Sequence, residues 1–148
     1  MTGADFLALA ARLATAATEA DWRTATSRAY YAAFHAARDL FEGLGFRVPH
    51  ADQAHQYLYL RLYNCGHAAL RLAADDLHTL RRRRNEADYD LRLAYDRQTA
   101  ANLCALATSF LQALGAASIE PTRTQITTAM KDYERTVLHQ VTWSPPPP

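Results

Sequence analysis

Glycine and proline are scarce in this chain. Five glycines and six prolines punctuate 148 residues, and four of the prolines form the terminal PPPP. The few that remain fall between segments whose apolar residues recur with a period near 3.6, which predicts an all-α protein. Cysteine is nearly absent too. Cys65 and Cys104 are far apart and form no CxxC, which argues against a disulfide framework and for a reducing compartment. No run of about 18 apolar residues is present, so no membrane span is expected. The first twenty residues lack a basic leader and carry Asp5, Arg12 and Glu19 at helical intervals, unlike a secretory signal. A cytoplasmic location is the expectation. The formal net charge is +1, too small for a global field to draw the chain to nucleic acid or anionic membrane, so any such binding needs a local cluster.

Familiar catalytic and metal signatures are also missing. There is no P-loop, GxGxxG or GxSxG, and the six histidines form neither HExxH nor HxxxH. No Glu-x-x-His is present for a di-iron bundle. Neither a metal nor a cofactor is expected. Cys65 sits beside Gly66 in a turn without an evident base, which makes it structural. Tyr57, Tyr59 and Tyr63 span both faces of one helix and read as core and interface rather than a base-stacking platform.

What is present is a series of six helices. The length and a hydrophobic share of 49% suit one core. The first helix is expected over residues 4–19, with Phe6, Leu9, Ala10, Leu13, Ala16 and Ala17 as its apolar stripe. The second is expected over 22–42, with Asp21 as N-cap and Gly43 as its stop. Its alanine-rich SRAYYAAFHAARDLF lets another helix pack closely. A loop follows, then helices over 51–63 and 67–86, with a helix end or turn at 87–91. A fifth helix covers 95–114, with Leu103, Leu106, Phe110 and Leu114 inward and Gly115 as stop. A connector leads to a sixth helix over 122–141, where Ile126, Met130, Tyr133 and Val137 lie at heptad-like steps. That stripe suits docking on the domain or on a second subunit. The expected architecture is an antiparallel up-and-down helical bundle over 1–115, with an accessory C-terminal helix and proline tail over 116–148.

Residues 80–90, LRRRRNEADYD, pose the main question. Successive helix residues are about 100° apart, so four in a row sweep about 300°. Arg81, Arg82, Arg83 and Arg84 cannot all face water on one side, and a guanidinium turned inward needs an anion or several carbonyls. A solvated helix end with local ion pairs is one reading. The second helix supplies another. Arg28, Tyr31 and His35 lie at i, i+3 and i+7 on one face, as a polar rim or as one wall of a cleft. Convergence of Arg28, Arg84 and Asn85 would make an anion site, and the planar fork of arginine suits phosphate oxygens.

The pairing of SRAYYAAFHAARDLF at 27–41 with RNEADYD at 84–90 resembles the HEPN superfamily, and in particular its small stand-alone members. The resemblance covers residues 5–115. It implies an antiparallel helical bundle that forms a homodimer. It also implies a toxin-like protein of a toxin–antitoxin or defence system, acting on RNA and partnered by a nucleotidyltransferase-type antitoxin. Active members are similar in carrying an arginine followed, four to six residues on, by a histidine. They cleave RNA without metal, the 2′-hydroxyl attacking the adjacent phosphate. Arg84 matches the motif arginine and Asn85 the polar residue after it. Tyr89 stands where the histidine is expected. An unperturbed phenol, with a pKa near ~10, exchanges protons poorly at neutral pH, so His35 is the alternative proton carrier. In nucleotidyltransferase-paired relatives a tyrosine near the motif is modified; Leu91 occupies that spacing here.

Two functions remain open on these grounds. In the first the protein is a metal-independent endoribonuclease, with Arg84 and Asn85 on the scissile phosphate, Tyr89 or His35 serving the proton transfers, and Arg28, Tyr31, Asp88 and Arg81 binding or orienting. In the second it is a non-catalytic HEPN module that binds RNA, a nucleotide or a protein partner.

Overall fold

Helices make up 74% of the chain in the computed structural model, which describes residues 1–50 and 52–148. There are six α-helices and no strand among the described residues, so the all-α bundle expected from periodicity is the fold. The helices are α1 (Gly3–Ala14), α2 (Glu19–Leu44), α3 (Gln53–Tyr63), α4 (Ala68–Tyr89), α5 (Arg97–Ala117) and α6 (Thr122–Tyr133). A five-residue π-helical turn, Glu134–Leu138, continues α6.

Several helix ends differ from expectation. The first helix stops at Ala14 rather than near residue 19, because a new N-terminus is built at Thr18. The Thr18 N–H and hydroxyl donate to Asp21 Oδ2 while the Asp21 N–H donates to Thr18 Oγ1, a reciprocal cap. Asp21 is thus the third residue of that box and not the N-cap. Helix α2 runs through Gly43 and ends at Leu44, where Gly45 takes a φ of +104°. Helix α4 extends past residue 86 to Tyr89, so most of RNEADYD is helical. Helix α5 passes through Gly115 to Ala117. The expected start of the third helix at Ala51 lies outside the described residues.

The described residues form two compact units, Met1–Ala36 with Asp76–Gln112 and Ala37–Asp75 with Ala113–Pro148. In the first unit α1 and α2 run antiparallel: Gly3 lies against Ala32 and Ala36, and Phe6 against Tyr31. A Cβ on Gly3 would sit 2.5 Å from the Ala32 carbonyl oxygen, so glycine is what permits this approach. α2 and α4 are antiparallel as well, since Arg23 reaches the Ala87 carbonyl and Tyr31 reaches Arg84. Ala25, Ala29, Ala32 and Ala33 are fully buried, the close packing that the alanine-rich stretch predicts. α5 is long and apolar enough to cross a membrane by length and composition. Its Leu103, Cys104, Ala107 and Phe110 are instead buried within this unit.

In the second unit Phe41, Phe46 and Tyr57 form an aromatic core. The residues after α6 fold back as a strap. His139, in the left-handed region at φ 51°, turns the chain. Arg47 N–H then donates to Thr142 O at 3.2 Å, and Ser144 N–H donates to Gly45 O at 2.9 Å. The strap is anchored by a charge pair. Arg61 and Glu134 are both buried, and two guanidinium nitrogens donate to Glu134 Oε2 at 3.0 and 2.6 Å. Glu134 Oε1 accepts the backbone N–H of Thr142 at 2.9 Å and of Trp143 at 3.2 Å. Ile126 and Met130 are buried as the heptad-like stripe predicts, but Val137 is exposed because the π-turn shifts the register of the helix face.

Candidate functional site

Arg84 is the arginine of the run that turns inward. Arg82 and Arg83 both pair with Glu86, at 3.7 and 2.8 Å, and remain at the helix surface. The next residue, Arg84, leans across to α2, where its Nη2 donates to the Tyr31 hydroxyl at 2.9 Å. On its own helix its Nη1 donates to Asn85 Oδ1 at 3.1 Å, and its Nε lies 2.9 Å from Asp88 Oδ2. The i, i+4 spacing of Arg84 and Asp88 makes that contact, but the angle at Nε is outside hydrogen-bond geometry.

Asp88 is shared. Its Oδ2 also accepts from Ser27 Oγ at 3.3 Å, and Ser27 Oγ in turn accepts from Arg28 Nη2 at 3.4 Å. The Arg28 guanidinium lies 4.9 Å from the centroid of the Tyr31 ring, and that of Arg84 lies 5.3 Å from the same centroid. Two cations thus lie near one phenol; Arg84 meets the Asp88 carboxylate directly, and Arg28 is linked to it only through Ser27. The Nε–H of Arg28 and that of Arg84 are both shielded from solvent without an aligned acceptor. Buried donors of this kind are costly, and an anion with several oxygens would satisfy them.

Phe6 from α1 closes the cluster. His35 stacks on it with centroids 5.0 Å apart and planes 21° apart, and Arg28 sits 5.6 Å from its centroid. The Tyr31 and His35 rings are 6.3 Å apart. Arg28, Tyr31 and His35 therefore share one face of α2, as their spacing predicts. Tyr89 is exposed, with its ring 5.4 Å from the Arg84 guanidinium. Arg81 lies one turn away beside Tyr30. Burial pushes the Tyr30 phenol up to about 12, and the Arg81 and Arg84 charges only partly oppose this.

Sequence reasoning brought together Arg28, Tyr31, Arg84, Asn85 and Asp88, and it missed three contributors. Ser27 couples Arg28 to Asp88. Phe6 was assigned only to an apolar stripe. Arg23, one turn before Ser27, donates to the carbonyls of Ala87 at 2.9 Å, Asp90 at 3.2 Å and Leu93. Ala87 and Asp90 lie at the end of α4 and Leu93 in the turn that follows, so Arg23 ties down the helix end that carries Asp88 and Tyr89. Its spacing four residues before Ser27 is the signal that could have found it.

Comparison with family models, with curated proteins and with solved structures yields no match.

Proposed function

We propose that the α2–α4 face of the first unit binds the phosphodiester backbone of RNA, in the manner of a HEPN toxin-like protein. The observation that carries this reading is the pair of guanidiniums on Tyr31, with two shielded Nε–H groups and one carboxylate, Asp88, that contacts Arg84 alone. Arg28, Arg84 and Asp88 sum to one positive charge. A phosphate seated there would relieve the repulsion between the arginines and take the unused donors. Arg84 and Asn85 hold the phosphate, Asp88 orients Arg84, and Arg28 and Tyr31 complete the cradle.

In a transesterification, charge that builds on the phosphoryl oxygens would be met by the two arginines. His35 is the one side chain of the cluster whose type exchanges protons near neutral pH. It is the proton carrier of this proposal in place of the motif histidine. Tyr89 is exposed at the rim and serves as a stacking or guiding contact. A cytoplasmic homodimer working with a nucleotidyltransferase-type partner completes the reading; the two free, buried cysteines suit a reducing compartment.

The second reading is a binding module without cleavage, favoured by the tyrosine at position 89. One experiment separates them. Labelled RNA is incubated with the protein in EDTA, beside Arg84→Ala and His35→Ala, with thermal melts to establish folding. Cleavage that leaves 2′,3′-cyclic phosphate ends and is lost in both folded variants supports the nuclease. Salt-dependent RNA binding without cleavage, weakened by Arg84→Ala and Arg28→Ala, supports the module. Folded protein that neither binds nor cuts RNA refutes the nuclease and the RNA-binding form of the module.

A further inference from the structure

The second unit contains a cavity of about 520 Å³ that the RNA reading does not use. Its size lies within the range of small-molecule sites. One wall is a single face of α3, where Gln53, Gln56, Tyr57 and Leu60 follow helical spacing. The opposite wall comes from the strap, including Val141 and Thr142. The Tyr57 hydroxyl bonds to Thr142 Oγ1, so floor and strap are joined.

The charges in this cavity are unequal. Arg61 at its base is neutralised by the buried carboxylate of Glu134. Arg47 at its rim has no carboxylate within ion-pair distance among the described residues, although its backbone is fixed to the strap through Thr142 O. The side-chain amides of Gln53 and Gln56 also make no hydrogen bond among the described residues. The cavity therefore offers one exposed cation without a counter-charge, two exposed amides, and apolar contact from the Tyr57 ring, half-buried Leu60 and exposed Val141.

We propose that this cavity binds a small organic acid with an apolar body. The acid group pairs with Arg47, the body lies against Leu60, Val141 and the Tyr57 ring, and the two amides take its polar substituents. An exposed cation at the rim beside an apolar face favours an acid with an apolar body over a free inorganic anion, which has nothing to bury, and over a neutral hydrocarbon, which gains nothing from Arg47.

The test uses the full chain and two probes of nearly equal shape, naphthalene-1-carboxylate and naphthalene-1-carboxamide, followed by amide NMR shifts. The acid is expected to bind saturably, with shifts confined to residues 47–62 and 138–143. It should bind about two- to fivefold more tightly than the amide, the worth of one exposed ion pair. In Arg47→Gln that preference should vanish. Because residue 47 is exposed, the variant keeps the fold, and the unchanged remainder of its spectrum establishes this. Three results overturn the proposal: no shifts at millimolar acid, equal binding of acid and amide by the natural protein, or a preference for acid that survives Arg47→Gln. Shifts spread over the first unit instead of the cavity overturn it as well.

Discussion

Replacing Glu134 by alanine should damage the second unit more than any other single truncation of a polar side chain. The side chain is fully buried and carries two kinds of obligation. It neutralises Arg61, whose Nε and Nη2 lie 3.0 and 2.6 Å from Oε2. It also accepts the backbone N–H groups of Thr142 and Trp143. Removing one partner of a buried pair costs about 3–5 kcal/mol, and a buried N–H without an acceptor costs about 1–3 kcal/mol. These terms are not additive, because the strap can swing out and hydrate its own amides. An overall loss of about 4 kcal/mol is expected, against the roughly 5–15 kcal/mol of a typical domain. The measurement is urea unfolding followed by tryptophan fluorescence. Trp22 lies in the first unit and Trp143 in the second, so Trp22→Phe and Trp143→Phe backgrounds report on each unit separately. The Trp143 transition should shift strongly and the Trp22 transition less. The double variant Arg61→Met/Glu134→Leu should recover the charge term but not the two amides, and so remain about 1–3 kcal/mol below the natural protein. A cost below about 1 kcal/mol for Glu134→Ala would refute the reasoning, since no buried carboxylate that accepts these four hydrogen bonds, and a fifth from Thr142 Oγ1, should be that dispensable.

Three further outcomes are expected. Gly45→Ala should cost about 2 kcal/mol or more, because φ is +104° there and an added Cβ would collide with the Ser144 carbonyl; Gly115→Ala, in open space within α5, should gain about 0.5–1 kcal/mol; thermal melts distinguish the two signs. Burial pushes the Cys104 thiol up to about 11, so a disulfide-exchange reagent at pH 8 should leave it unlabelled in the native protein and label it in urea; labelling before unfolding would contradict the packing of α5. Tyr30 is pushed up to about 12 mainly by burial, while in the unfolded chain it ionises near ~10. Between those values the unfolded state has lost the proton and the native state retains it. The Tyr30 contribution is thus intact below about pH 10 and declines by up to about 1.4 kcal/mol per pH unit as pH rises toward 12, a slope that Tyr30→Phe should reduce.

The helices themselves were legible because scarce glycine and proline leave long stretches whose apolar period is 3.6. Their ends were less so. The stop at Ala14 was set by a Thr18–Asp21 box, and the extension of α4 to Tyr89 depends on Arg23, an arginine far away in sequence that collects the terminal carbonyls. Local spacing reveals the first kind of cause only if both partners are weighed together, and it cannot reveal the second. The polar face of α2 was readable from Arg28, Tyr31 and His35, since helical periodicity is enough to align them. Of the four consecutive arginines the sequence reading singled out Arg84, and it is Arg84 that reaches Tyr31; helical periodicity alone did not separate it from the other three, because that depends on the angle between two helices. Arg61 lies in QYLYLRLY, a setting that signals a buried cation. Its partner, 73 residues on, is fixed only by the path of the strap.

That separation also sets an order of events. Residues 1–112 leave the ribosome ahead of Glu134 and Trp143, so every residue of the first unit emerges while Arg61 still lacks its counter-charge. The nascent chain can therefore finish the arginine–tyrosine cluster early. It must carry an unclosed second unit, its cation hydrated and its aromatic core uncovered, until the strap emerges. The vulnerable interval in the life of this protein falls there, and chaperone dependence should track Glu134 rather than Arg84.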